Sequence, residues 1–193
     1  MIEFRNVSKS FKNDKVLSNL SFRVNDGDFL IIEGANGSGK TTIINLILNL
    51  IDLDDNFGEV INNFNSISYY PSVFTMPSLI KSYDFLYTYF FGIENKERID
   101  YFIKKYNLEN KLVCNLSKGN TLKIALIKTL IERSELYIFD EPFNGLDEES
   151  KKLFVEDLTK MNKDGKTIIV VTHDKSYFKE AEVSTLKLGG DNE

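Results

Sequence analysis

The chain has 193 residues, 42% hydrophobic and 27% charged. That is ordinary globular composition, with room for one core and a small subdomain, and it gives disorder no compositional support. A formal net charge of −5 argues against a general nucleic-acid binder, which needs a basic stripe to release counterions, and a lone Cys114 excludes an internal disulfide and a cysteine metal cage.

The first residues, MIEFRNVSKSF, contain no apolar run of secretory length and carry acidic Glu3 where a leader would be basic. No stretch reaches the roughly 18 apolar residues of a membrane span. Residues 43–51 come nearest, and Asn45 and Asn49 interrupt them. With the single cysteine, this leads us to expect a cytoplasmic chain in a reducing compartment.

In chain order, IEFRNV, VLSNLSFRV and DFLIIE read as strands, with an Asp26-Gly27 turn signal between the second and third. DFLIIE is a short apolar run ending in Gly34, the pattern of a buried strand that feeds a loop. Residues 40–50 read as a helix, followed by short strands GEVI and SISYY. Residues 78–106 turn helical and aromatic, with Tyr83, Phe85, Tyr87, Tyr89, Phe90, Phe91, Tyr101, Phe102 and Tyr106. These rings are expected to form a subdomain core rather than a special site. A helix over 117–133 places Leu122, Ala125, Leu126 and Leu130 at helical spacing. Strand LYIFD, a helix over 147–163, strand KTIIVVT and a short helix near 175–181 complete the pattern. Strands alternating with helices predict an α/β fold with a parallel core sheet.

Two segments carry chemistry on their own residues. GANGSGKTT, residues 34–42, matches the phosphate-binding P-loop pattern. Its glycines let backbone N–H groups converge on phosphates, Lys40 supplies a point charge, and Thr41 offers a hydroxyl to Mg²⁺. LYIFDEP is an apolar strand ending in two acids. Asp140 fits a metal-holding acid, and Glu141 stands where a general base could polarise water. A helix-capping turn would explain the same pair.

Further segments remove that ambiguity. LSKGN (116–120), FNGLD (143–147), VVTHD around His173, and SKSF ending in Phe11 fall in the order of the ATP-binding cassette (ABC) family's motifs. From Ile2 to Leu188 the chain resembles that family. LSKGN resembles the signature LSGGQ, FNGLD the D-loop, and His173 the switch histidine.

The resemblance implies a P-loop NTPase core sheet with N-terminal antiparallel strands. It also implies one domain spanning 1–193, with a helical subdomain at roughly 73–134. Phe11 would stack adenine, and Asn36, Gly37, Ser38, Gly39, Lys40, Thr41 and Thr42 would wrap the phosphates. Thr41 and Asp140 would hold Mg²⁺, Glu141 would be the base, and His173 would sense the γ-phosphate. Ser117, Lys118, Gly119 and Asn120 would face ATP held by another subunit, although Lys118 and Asn120 depart from the family's glycine and glutamine. The family also carries a glutamine after the strand that here reads SYYPSVF. Ser72 takes its place, which puts that metal contact and the coupling to the partner in doubt.

The implied cofactors are ATP and Mg²⁺. The implied partners are a second cassette, identical or not, packed head to tail, and a separate transmembrane permease, with no nucleic acid. Residence would be peripheral, on the cytoplasmic face of the membrane. The signature and D-loop lean towards exporters of drugs or antimicrobial peptides. No regulatory domain is expected after the cassette. The rival readings are a soluble cassette acting on ribosomes or DNA, and a degenerate ATP-binding partner.

Overall fold

The computed structural model describes residues 1–12, 14–54, 58–91, 96–179 and 181–189. In chain order it forms strands β1 (Ile2–Phe11), β2 (Asp14–Val24) and β3 (Phe29–Gly34), helix α1 (Lys40–Ile47), and strands β4 (Glu59–Asn62) and β5 (Ile67–Tyr70). Helices α2 (Ser82–Tyr89), α3 (Lys96–Lys105) and α4 (Lys118–Ile131) follow. Strand β6 (Leu136–Asp140), helix α5 (Glu148–Lys163) and strands β7 (Thr167–Thr172) and β8 (Ser184–Leu188) end the described chain.

These strands make two sheets. The antiparallel sheet runs β2-β1-β4, and the parallel sheet runs β5-β6-β7-β3-β8. β6 and β7 are buried at every residue, as expected of central parallel strands covered on both faces. Because side chains alternate across a strand, each run serves two cores. Phe29, Ile31, Tyr137, Phe139, Ile168 and Val170 pack on one side with α2 to α5. Leu30, Ile32, Leu136, Ile138, Ile169 and Val171 pack on the other with α1 and the antiparallel sheet. Apolar runs without polar alternation are therefore what this position requires.

Helices α2, α3 and α4 pack together through Leu86, Phe90, Ile99, Phe102, Leu126 and Leu130. Most aromatic residues of this stretch serve that core, although Tyr89, Phe91 and Tyr101 are exposed. A buried polar link ties α3 to α5: Asp157 accepts from the Tyr106 hydroxyl at 2.8 Å and from Lys105. Residues 92–95 of the aromatic stretch and residue 180 lie outside the described residues.

The structure departs from the sequence reading in three places. The first helix ends at Ile47 rather than near 50, because Asn49 adopts φ 54°, a left-handed conformation that asparagine tolerates. The expected helix near 175–181 is a single 3₁₀ turn, Ser176–Phe178. β8 was not anticipated. It pairs in parallel with β3 at the sheet edge, where solvent exposure permits polar residues such as Ser184 and Lys187.

Candidate functional site

Strand order decides what meets at the carboxyl edge of the parallel sheet. Ser72 follows β5, Asp140 ends β6 and Glu141 follows it, His173 follows β7, and the P-loop follows β3. Since these strands are neighbours, four distant segments converge there. Ligands of open α/β sheets bind in this location.

The P-loop closes tightly onto α1. Gly39, the residue before the helix, has φ 96°, and a Cβ there would stand 2.7 Å from Leu17 Cδ2. Only glycine fits both constraints. No side chain caps α1, so its first N–H groups and the positive end of its dipole are available to an anion. Lys40 is buried, and its Nζ donates to the carbonyls of Gly34 (2.7 Å) and Ala35 (2.9 Å). An ammonium has three donors, so one remains for the cleft.

The acids sit across from this ammonium. Asp140 is 2% exposed, and its Oδ2 is buried with no hydrogen-bond partner. Burial pushes its carboxyl above the usual range. The Ser72 hydroxyl pulls it back, Glu141 adds to the rise, and Lys40 opposes it. An orphaned carboxylate oxygen in a cleft also lined by Thr41 and Ser72 suits a small hard cation that takes oxygen ligands. Among the described residues no group of three or more His, Cys, Asp or Glu forms a metal cage.

Glu141 adopts φ 49°, an uncommon conformation for a residue other than glycine. Its backbone N–H donates to Val171 O at 2.9 Å, which ties the turn to β7. Its side chain is held at both oxygens: Oε2 lies 2.8 Å from His173 Nδ1 and Oε1 lies 3.9 Å from Lys40 Nζ. A carboxylate can only accept, so Nδ1 donates and the imidazole's other nitrogen is left towards solvent. The His173 side chain is 59% exposed.

A cleft of about 360 Å³ is lined by Phe11, Val16, Asn36, Gly37, Gly39, Lys40, Thr41, Thr42, Ser72, Asp140 and Glu141. Phe11 ends β1, 44% exposed, with its ring centre 5.4 Å from Lys9 Nζ. Of the residues expected here, Ser38 does not line the cleft, and its hydroxyl is buried without a partner. His173 joins only through Glu141. Val16 was missed, because nothing in its own sequence context marks a strand residue as a wall of the site.

Ser117, Lys118, Gly119 and Asn120 do not line this cleft. They form the start of α4, which Ser117 caps by accepting from Asn120 N at 3.2 Å. The FNGLD turn packs against them. A Cβ on Gly119 would stand 3.0 Å from Gly145 O, and one on Gly145, at φ 84°, would stand 2.7 Å from Leu122 Cδ1. Lys123 Nζ binds Asp147 Oδ2 at 2.8 Å. Asp147 also caps α5 by accepting from Ser150 N at 2.8 Å. Lys123 and that cap hold the Asp147 carboxyl far below the usual carboxylate range.

Comparison with known proteins agrees with this geometry. Residues 17–144 match the family model described as ABC transporter. An uncharacterised ABC transporter ATP-binding protein of Methanocaldococcus jannaschii is 33% identical over 182 residues, covering 89% of this chain and 68% of the relative. A zinc uptake system ATP-binding protein of Listeria innocua is 32% identical over 90% of this chain and 77% of its own length. Among solved structures, the ATP-binding cassette MJ0796, a dimer in a post-hydrolysis state bound to ADP and Pi, superposes with a TM-score of 0.80. It is 26% identical, over 98% of this chain and 97% of that one.

Proposed function

Since the chain belongs to the ABC transporter family as an ATP-binding subunit and ATP hydrolase, we propose that the cleft beside Glu141 binds Mg-ATP and hydrolyses it to power transport. The observation that carries this reading is the Glu141 carboxylate, held by His173 and facing Lys40.

Phe11 stacks on the adenine, and residues 36–42 wrap the phosphates around the Lys40 ammonium. Thr41 and Asp140 would hold Mg²⁺, with Ser72 reaching it only through a bridging water or a shifted loop, and the ion would offset negative charge on the β- and γ-phosphates. Glu141 takes a proton from the attacking water. His173 keeps that carboxylate oriented and, when its second ring nitrogen also carries a proton, donates from it to the γ-phosphate. Glu141→Gln is the direct test. It should retain ATP binding and lose hydrolysis by about 10² to 10⁴ in rate, the usual contribution of a positioned base. A variant that hydrolyses ATP at the parent's rate overturns the assignment.

The signature's separation from the cleft supports completion of each site by a second cassette, with Ser117 and Gly119 turned to the partner's nucleotide. Residues 1–193 act as one cassette domain, and residues 73–134 form its helical subdomain. No described helix is long and apolar enough to cross a membrane. Val73 (77% exposed), Leu79 (80%) and Phe91 (86%) offer apolar surface at this subdomain for a separate permease. The chain thus works peripherally on the cytoplasmic face.

For direction, LSKGN and FNGLD favour export of drugs or antimicrobial peptides. The zinc uptake relative favours import as a second reading. Deleting the gene separates them: sensitivity to such compounds supports export, and loss of cellular zinc accumulation supports import.

A further inference from the structure

Ser117 is more constrained than a helix cap requires. A hydroxyl has one proton to donate and two lone pairs to accept with. In Ser117 both acceptor positions are used by Asn120, through its backbone N–H at 3.2 Å and its side-chain Nδ2 at 3.2 Å. The Ser117 proton is left for a group outside the loop. That outcome depends on which way the Asn120 amide faces. Turned over, Asn120 would present Oδ1 to the hydroxyl and capture its proton.

Glu109, in the loop between α3 and α4, sets the amide. Its Oε1 accepts from Asn120 Nδ2 at 2.9 Å, and its backbone N–H approaches Oδ1 at 3.5 Å. A carboxylate only accepts and a backbone N–H only donates, so both ends of the amide are specified. Glu109 is itself anchored. Its carbonyl accepts from the Ser82 hydroxyl at the start of α2, and Lys111 pairs with its carboxylate. The hydrogen bond from Lys111 and its charge hold that carboxyl below the usual range, so it remains an acceptor at neutral pH.

We infer that Glu109 and Asn120 are positioning residues that make Ser117 an obligate donor to the γ-phosphate of ATP held by a second copy of this chain. This rests on the role proposed above for Ser117, and it removes Asn120 from the residues expected to touch nucleotide. Its amide is committed to Ser117 and Glu109.

The test uses full-length Glu141→Gln protein as parent and reads the ATP concentration at which light scattering reports half-maximal dimerisation. Ser117→Ala and Glu109→Ala should each raise that midpoint about tenfold, the scale of one charge-assisted hydrogen bond. Fluorescent-nucleotide affinity of dilute monomer should stay at the parent value in both variants; thermal melting should stay there in Glu109→Ala, whereas Ser117→Ala also removes the α4 cap and should melt about 2 to 4 °C lower. Glu109→Gln keeps an amide oxygen that can accept, and should restore most of the loss. Adding Glu109→Ala to Ser117→Ala should raise the midpoint no further. Asn120→Asp, nearly the same shape but offering oxygen where Nδ2 stood, should reproduce the defect.

An additive double variant, no rescue by Glu109→Gln, or a normal midpoint in Asn120→Asp would each show Glu109 to be mere loop support. A normal midpoint in Glu109→Ala beside an impaired Ser117→Ala overturns the relay and leaves the trans role of Ser117 standing. A neutral Ser117→Ala, or a parent that stays monomeric in saturating Mg-ATP, overturns both.

Discussion

Ser72 occupies the position of a longer family residue, and its surroundings say what the shorter side chain does instead. It lines the cleft beside Thr41 and Asp140, and its hydroxyl counteracts the burial that pushes the Asp140 carboxyl up. A serine hydroxyl reaches several ångströms less far than a glutamine amide, so contact with metal and attacking water needs a bridging water or a shifted loop. Loosely placed reactants react more slowly. Ser72→Gln in the isolated subunit is therefore expected to raise the basal hydrolysis rate or lower the magnesium concentration needed for half-maximal rate. Steady-state hydrolysis across a magnesium titration checks this. An equal or lower rate with the same magnesium response would mean that SYYPSVF has compensating contacts, and that glutamine only crowds the site.

At the scale of elements, the junction of α4 and α5 is tied by one side chain with two roles. Asp147 caps α5 and pairs with Lys123, a largely buried ammonium. Loss of the cap costs about 1 kcal/mol. The ion pair adds at most as much, since the Asp147 side chain is 54% exposed and solvent screens it. Asp147→Ala should lower the melting temperature by about 2 to 8 °C, whereas Asp147→Asn, which still caps, should lose at most about half of that. Because the folded carboxyl is held below its unfolded value, its stabilisation is present above the ordinary carboxylate range and is lost as pH falls through the folded value. The difference between Asp147→Asn and the parent should accordingly shrink in strong acid. Most elements were legible in the sequence because burial on both faces leaves central strands such as LYIFD and TIIVVT no choice but apolar runs. β8 was not, since an edge strand carries little of that signal. The P-loop, Asp140, Glu141 and His173 were legible because their motifs are local. The Glu109–Asn120–Ser117 chain was not, because it depends on a loop folding back onto the start of a helix, and no short pattern encodes that.

Viewed as a whole molecule, the chain exposes apolar residues around α2 and contains no described helix able to span a bilayer. In its native host it should sediment with membranes and leave them when its spanning partner is deleted. Sedimentation with ribosomes in both strains would support the soluble reading instead. Isologous pairing of two copies puts the same two surfaces to use twice. Since residues 117–120 stand apart from the cleft on their own chain, damage to the P-loop and damage to the signature fall on different halves of each composite site. Lys40→Ala and Ser117→Arg proteins should each be inactive alone. Mixed in equal amounts, about half of the dimers would be hybrids, and every hybrid unites the sound P-loop of one copy with the sound signature of the other. Hydrolysis reappearing on mixing two dead preparations is the expected result, and continued silence would mean that each chain completes its own site or pairs with a different cassette. Inheritance follows the same logic: two defective alleles of this gene, carried together in one cell, would complement each other although they encode a single polypeptide.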